Sequence, residues 1–404
     1  MDNNFSIFNK QSSMIGVEEA KKLVDGLKPV LRTQYLDLAE AKGCVLAQAI
    51  HAPLALPPFD QSAMDGYALC LGAEERYQIV GEVAAGSAWN SSLKAGQAVR
   101  IFTGAPVPSA AQAVIQQEKV VVEGNELVVP VDIKLGLNIR PKGEQIQEGA
   151  LALKTGSILT PATIGFLASM GMTRVLVFCK PKVGIVVTGS ELVAPGQALQ
   201  LGQIYESNGQ MLQAALEQTG FGRATMKVIE DNYLATLALL KEQLQEVDVL
   251  IISGGISVGD YDFVGQVLPK LGVETLFYKV RQKPGKPLYL GTKNNCIVFA
   301  LPGNPAAALS CYYEYVLTAL KKCQGYAHYS LPTSHLPLAH NYQRKGNRAQ
   351  FLKAYATSQG VEILEQQSSA MLQSFAWANA LVYVPETVSD LAKGEPVEVH
   401  WLPQ

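Results

Sequence analysis

Between residues 183 and about 325 the chain alternates short, nearly continuous apolar runs with longer stretches of helical periodicity. The apolar runs are 183–187, 224–229, 247–252 and 296–301. Apolar residues at three- and four-residue spacing cover 207–218, 233–245, 262–271 and 304–322. Strands that are apolar on both faces and separated by amphipathic helices predict a mostly parallel sheet covered on both sides. In such a three-layer α/β domain, ligands sit outside the C-terminal ends of the strands. The flanks have a different texture. Residues 17–27 and 36–49 carry helical spacing, and 161–170 form another helix candidate. Short strand-like runs at 77–80, 98–102, 113–115, 120–122 and 126–129 are punctuated by Gly, Pro and Asn. Residues 138–144 read as a polar loop. A second series of strand candidates, 351–355, 361–364, 380–384 and 397–401, closes the chain.

The pattern therefore predicts a multidomain α/β and β protein. A discontinuous mixed α/β linker domain takes residues 1–50 and 141–180. An inserted β-rich domain takes 51–140, the central three-layer α/β domain 181–327, and a small β-barrel-like C-terminal domain 328–404. With 404 residues, two to four domains are comfortable.

Charge and cysteine usage narrow the function. A formal net charge of −2 leaves no basic footprint for nucleic acid or an anionic membrane, so a polyanion has to be held by a local cluster. The six cysteines form no C-x-x-C pair, which predicts reduced thiols rather than a disulfide framework or zinc site. The N-terminus has no basic start followed by an apolar stretch, and no run approaches the ~18 apolar residues of a membrane span. A soluble, cytoplasmic protein is expected.

Candidate chemistry gathers in the loops that follow the central strands. Ser253-Gly254-Gly255-Ile256-Ser257 leads into Asp260 and Asp262 at a helix start, where flexible glycines and exposed N–H groups suit an anion. Leu301-Pro302-Gly303-Asn304-Pro305 places a good N-cap and a good first helical residue after another strand. Glu191, Asp231, Asp260 and Asp262 come from three such loops. Carboxylates of this kind bind Mg²⁺ together with a substrate phosphate. Lys279, Arg281, Lys283 and Lys286 crowd one short stretch stiffened by Pro284 and turned by Gly285. Far upstream, Pro58-Phe-Asp60-Gln-Ser-Ala-Met-Asp65-Gly-Tyr-Ala68 is a shaped loop with two acids five apart, and Thr103-Gly-Ala-Pro106 is a shorter one.

In this order these segments, with Arg140-Pro-Lys-Gly-Glu144, Thr188-Gly-Ser-Glu-Leu192 and Lys283-Pro-Gly-Lys-Pro287, resemble the molybdopterin molybdenumtransferase (MoeA) family, which is related to the E domain of gephyrin. The resemblance covers nearly the whole chain. Its first segment is the most specific, whereas the Gly-Gly, Pro-Gly-Lys and Pro-Gly-Asn-Pro segments also occur in stand-alone molybdopterin adenylyltransferases. It implies a molybdopterin-binding type of α/β domain, an elongated homodimer of four-domain subunits, and a cleft completed by the Asp60-bearing domain of the other subunit. It further implies insertion of molybdenum from molybdate into adenylylated molybdopterin, with release of AMP and a need for Mg²⁺. Other proteins of the molybdenum-cofactor pathway are implied partners.

By the same resemblance, Glu191, Asp231 and Asp262 hold Mg²⁺ or position water, and Asp60 and Thr103 lie near the pterin or insertion centre. Lys283, Lys286, Arg348 and Ser369 contact phosphate or molybdate, and Arg140 reaches the same cleft. Ser253, Gly254, Gly255, Ser257, Pro302 and Asn304 line the substrate site. Glu230 competes with Asp231, and Asp260 with Asp262. Two other readings are a molybdopterin adenylyltransferase, which leaves the flanking domains without a purpose, and a pterin-binding scaffold without turnover.

Overall fold

Alternate residues of the central strands face opposite layers, and every one of them is buried. The computed structural model describes residues 14–73, 75–129, 132–256 and 263–404. Its main sheet contains β1 (Val183–Thr188), β2 (Thr225–Ile229), β3 (Val249–Ser253), β4 (Glu274–Lys279), β5 (Pro287–Lys293) and β6 (Cys296–Leu301). Their spatial order is β2-β1-β3-β6-β5-β4. The first three neighbouring pairs are parallel and the last two antiparallel. Ile185, Val187, Val249, Ile251, Phe299 and Leu301 point into one core. That core is shared with α1 (Asn208–Gln218) and the helical run that begins with α4 (Pro305–Cys311). Val186, Leu250, Ile252, Val298 and Ala300 point into the other, beneath α2 (Tyr233–Glu246) and α3 (Phe263–Lys270). Each fully buried aliphatic side chain contributes roughly 1.5–3 kcal/mol, so both layers are needed to hold the sheet. β1 is flanked by β2 on one side and β3 on the other. Their crossovers leave in opposite directions, and this switch point opens a crevice at the strand ends.

The run from α4 continues through a π-helical turn, Tyr312–Val316, into Leu317–Cys323, where a single regular helix is predicted from spacing. The wide turn coincides with Glu314, a carboxylate buried at 6% exposure and paired to Lys21 at 3.0 Å. After it, strands Thr333–Pro337, Ala349–Thr357, Gly360–Ile363, Ala380–Val384 and Pro396–Trp401 form an antiparallel sheet around their own apolar core. The two-residue strand Gln282–Lys283 joins its edge in parallel with Ala349–Gln350.

The chain divides into two compact units. One holds the residues through Gln34, then Gly43–Val45 and Phe178–Gln404, and so contains both sheets above. The other holds Tyr35–Lys42 and Leu46–Val177. Within the second unit, six short strands between Gly66 and Val128 form one mixed sheet with a core on each face. Pro161–Ser169 is helical, with Thr160 and Thr163 forming a reciprocal capping box.

One sequence expectation fails here. The helix expected over 36–49 is absent: Thr33–Asp37 is a strand, Leu38–Glu40 a single 3₁₀ turn, and Gly43 adopts φ +77°. The N–H groups of Leu46 and Ala47 instead donate to the carbonyls of Ser157 and Leu176. Pairing with segments more than a hundred residues away overrides the local periodicity. The polar loop at 138–144 also gains structure, because Ile139–Arg140 pairs antiparallel with Gln61–Ser62.

Candidate active site

The crevice at the switch point is a cleft of about 460 Å³. β1 ends in it with Thr188, Gly189 and Glu191, β2 is followed by Asp231, and β3 ends with Ser253, Gly254 and Gly255. Glu206 and Asn208 enter from the start of α1, and Gly303 and Pro305 from the turn between β6 and α4. Five of the residues expected from sequence are therefore brought together: Glu191, Asp231, Ser253, Gly254 and Gly255.

Local bonds fix this geometry. The Ser190 hydroxyl accepts the Asp231 N–H at 3.0 Å, and an Asp231 carboxylate oxygen accepts the Ser190 N–H at 3.3 Å, tying the two acidic loops to each other. Gly254 and Gly255 adopt φ +91° and +60°. A Cβ on Gly254 would stand 2.5 Å from the Thr188 carbonyl oxygen, and one on Gly255 would stand 2.8 Å from the Thr188 hydroxyl. Glycine is thus required twice, for conformation and for close approach. Asn208 donates its amide hydrogens to Ser253 Oγ at 2.9 Å and to the Gly303 carbonyl at 2.8 Å, lacing α1, β3 and the β6–α4 turn together. A Glu206 oxygen accepts the Gly209 N–H at 2.6 Å.

Among the described residues, two groups in the cleft have no hydrogen-bond partner. Thr188 Oγ1 and Asn208 Oδ1 are buried and make no hydrogen bond. Buried polar atoms are nearly always satisfied, so such orphans mark where a ligand or its hydration shell completes the site. Asn208 is not picked out by sequence, and Thr188, the first residue of the Thr188–Leu192 segment, has no role assigned there, because each looks like an ordinary helix-start or strand-end residue until the fold places it.

The remaining expected residues divide into groups. Asn304 stands at the N-cap of α4 without a side-chain capping bond. Its amide donates to Ser369 Oγ at 3.0 Å, while the Ser369 carbonyl accepts the Ala307 N–H at 3.2 Å. Pro302 is buried behind this turn. Lys283 opens onto a second cavity of about 460 Å³, shared with Tyr342, Lys345, Gln350, Gln366 and Ser368. Lys286 is exposed, and Arg348 donates to the Gln282 carbonyl at 3.2 Å. Ser257, Asp260 and Asp262 lie outside the described residues.

Asp60, Thr103 and Arg140 belong to the second unit and converge within it. An Asp60 carboxylate oxygen accepts the Lys142 N–H at 2.7 Å, and the Asp60 carbonyl accepts the Val107 N–H at 2.9 Å. Arg140 faces Gln61 across a two-residue ladder. The Thr103 hydroxyl and N–H both donate to Asp65 at 2.7 Å. These bonds hold the Asp65 carboxyl below the usual aspartate range. Asp65 is the second acid of the Pro58–Ala68 segment, and its five-residue offset from Asp60 is the sequence signal for it.

The donor set of the cleft suits Mg²⁺. Among the described residues no three His, Cys, Asp or Glu side chains are grouped tightly enough to hold a metal by themselves. Three carboxylates (Glu191, Asp231 and Glu206, the last also accepting the Gly209 N–H), a free hydroxyl and a free amide oxygen are hard oxygen donors of the kind that bind Mg²⁺ when substrate phosphate and water fill the other positions. Among the described residues no helix is long and apolar enough to cross a membrane, and all six cysteines are free.

Comparison with known proteins matches nearly the whole length of the chain. Residues 15–171 match the family described as MoeA N-terminal region (domain I and II). Residues 184–322 match the probable molybdopterin binding domain, and 335–402 the MoeA C-terminal region (domain IV). The chain is 32% identical over 397 residues to the molybdopterin molybdenumtransferase of Haemophilus influenzae, covering 96% of this chain and 98% of that one. It is 31% identical over 404 residues to the protein of the same name from Bacillus subtilis, covering 95% and 93%. Its fold is similar to the crystal structure of the molybdopterin biosynthesis moeA protein from Pyrococcus horikosii. The TM-score is 0.83, with 31% identity and coverage of 96% and 99%.

Proposed function

Because this chain belongs to the molybdopterin molybdenumtransferase (MoeA) family and is a transferase of molybdenum-cofactor biosynthesis, we propose that it inserts molybdenum from molybdate into adenylylated molybdopterin, releasing AMP with the help of Mg²⁺. One observation carries the finer reading. The tied acidic loops of Glu191 and Asp231 face two buried, unpartnered oxygens in a crevice sized for a small-molecule ligand.

In this reading Glu191, Asp231 and Asp262 are the residues that would hold Mg²⁺. The ion supplies polarisation of the phosphorus and charge stabilisation of the departing AMP. The loop of Ser253, Gly254, Gly255 and Ser257, with Pro302 and Asn304, shapes the pocket for the nucleotide-linked pterin. Lys283, Lys286, Arg348 and Ser369 receive molybdate or phosphate oxygens, since ammonium, guanidinium and hydroxyl donors bind oxyanions through short charge-assisted bonds. Asp60, Thr103 and Arg140 act near the pterin and the insertion centre. The four-domain partition, a cytoplasmic homodimer and docking to other cofactor-pathway proteins belong to the same reading.

The test is reconstitution. Purified protein is mixed with adenylylated molybdopterin, molybdate and Mg²⁺, and both the molybdenum cofactor and AMP are quantified. Equal AMP and cofactor, dependent on Mg²⁺, are expected. ATP consumption with molybdopterin alone would reassign the chain to the adenylyltransferase reaction. Light scattering at the mass of two chains is expected for the homodimer.

A further inference from the structure

Lys353 is a lysine where the fold has no room for one. It lies on strand Ala349–Thr357, opposite Leu381 of the neighbouring strand, and is only 3% exposed. Among the described residues its ammonium makes no ion pair. Its three bonds go to main-chain carbonyls, those of Gln366 at 2.7 Å, Met371 at 3.0 Å and Ser368 at 3.3 Å. The main chain of the same residue is clamped as well: Gln367 accepts the Lys353 N–H at 3.0 Å and donates to its carbonyl at 2.8 Å. Segment 364–372 is therefore wrapped around one lysine. It is also strained, since Gln366 holds φ +58°.

That segment lines the second cavity and bonds the turn beside the cleft. Ser369 bonds Asn304 and the start of α4 at the edge of the cleft. Ser368 and Gln366 line the second cavity beside Lys283. We propose that Lys353 is a positioning residue, whose buried ammonium holds the 364–372 segment, and with it Ser369, in register with the substrate-handling turn at Asn304. This deepens the functional reading above and rests on it for the identity of the substrate.

The device responds to pH. Burial pulls the Lys353 ammonium down to about 8. The titratable groups on the surrounding elements are Tyr355 on the same strand, Lys283 on the adjoining Gln282–Lys283, Glu362 on Gly360–Ile363, Glu365 on the segment itself and Tyr383 on Ala380–Val384; helix Gln373–Trp377 carries none. None of these bonds the ammonium. The anchored lysine gives up its proton more readily than an exposed one, so opening the segment is easiest while the ammonium is charged, and the anchored state gains as pH rises through about 8.

Hydrogen exchange of amides 364–372, corrected for intrinsic rate, tests this on the unmodified protein. Protection rises about tenfold between pH 7 and 9.5 in the parent, and is low and independent of pH in Lys353→Met. Strand Ala380–Val384 remains protected in both and serves as the internal control. With an active parent, Lys353→Met raises the molybdate KM about tenfold and lowers kcat less. Parent protection that does not change with pH overturns the proposal. So does an unchanged molybdate KM in Lys353→Met. A parent that exchanges as expected but inserts no molybdenum overturns the functional reading and leaves the anchoring intact.

Discussion

Asp65 accepts two hydrogen bonds from Thr103, one from the N–H and one from the hydroxyl, both at 2.7 Å. The Thr103 hydroxyl is therefore already committed, and its position is set by an acid at the far end of the Pro58–Ala68 segment. Asp65→Ala is expected to leave the fold intact, because both side chains are exposed. It should reduce molybdenum insertion about tenfold by releasing Thr103. Circular dichroism and cofactor yield on the same preparation check this. The sign of the pH effect follows from the lowered carboxyl. Any stability it adds is present above the ordinary aspartate value of 3.8 and is lost as pH falls through the lower folded value. An unchanged yield from Asp65→Ala would remove Thr103 from the site.

Glu191→Gln and Asp231→Asn each remove one hard anionic donor from the cleft while keeping size. Asp231→Asn also weakens the bond that ties the two acidic loops. Each is expected to raise the Mg²⁺ concentration for half-maximal activity about tenfold or more, with little change in melting temperature. A Mg²⁺ titration of molybdenum insertion checks this. Superimposable curves for parent and both variants would place the metal elsewhere.

The α/β sheet could be read from the chain because β1, β3 and β6 are buried on both faces and their apolar runs are therefore unbroken. The acidic loops were legible for a related reason, since strand ends of such a sheet converge whatever the side chains are. Four features were not. Residues 36–49 carry helical spacing but spend their N–H groups on distant carbonyls, which no local window contains. Asn304 looks like a capping residue, yet its amide is drawn to Ser369, 65 residues later. Lys353 is one residue of the strand candidate 351–355 with nothing in the sequence to single it out, and only the fold supplies the carbonyls that bury it. The orphans Thr188 and Asn208 are of the same kind: what distinguishes them is a partner they lack, which sequence does not record.

A buried charge network sets a separate pH dependence. His400 Nδ1 stands 2.7 Å from a Glu314 oxygen and its Nε2 stands 2.9 Å from Glu398, while Lys21 pairs with the other Glu314 oxygen. Burial pushes His400 down, but Glu314 and Glu398 outweigh it and hold the imidazole above its ordinary 6.5. Burial pushes Glu314 up, and Lys21 with His400 outweighs it, leaving the carboxyl below 4.5. The raised His400 contributes stability that is full below pH 6.5 and is lost as pH rises through its folded value. The lowered Glu314 contributes stability above pH 4.5 that is lost as pH falls through its own. Calorimetry from pH 5.5 to 9 should show the parent losing melting temperature toward the alkaline end. Glu314→Gln should cost about 3–5 kcal/mol at pH 6, because the partners stay buried without their counter-charge. It should also flatten the alkaline slope. A slope that survives this substitution would assign it to other groups.

Gly254 offers the most direct test of the cleft, because its substitution changes shape without changing charge. Gly254→Ala puts a methyl 2.5 Å from the Thr188 carbonyl and 3.0 Å from the Thr188 hydroxyl, on a backbone at φ +91°. Neither neighbour is the free end of a flexible chain, so β1 and the loop after β3 must move apart. The conformational part alone costs about 1–2 kcal/mol for a non-glycine residue in the left-handed region, and the contact adds to it. Local destabilisation is expected, together with loss of nucleotide binding, since the displaced loop no longer presents its N–H groups beside Glu191 and Asp231. Calorimetric titration with AMP and Mg²⁺ checks the binding, and a thermal melt checks that the rest of the α/β unit still folds. Ser190→Ala is the control. It removes the hydroxyl that accepts the Asp231 N–H without narrowing the cleft, and it should weaken binding by less than Gly254→Ala. Equal AMP affinity in the parent and Gly254→Ala would mean that the nucleotide does not enter this crevice.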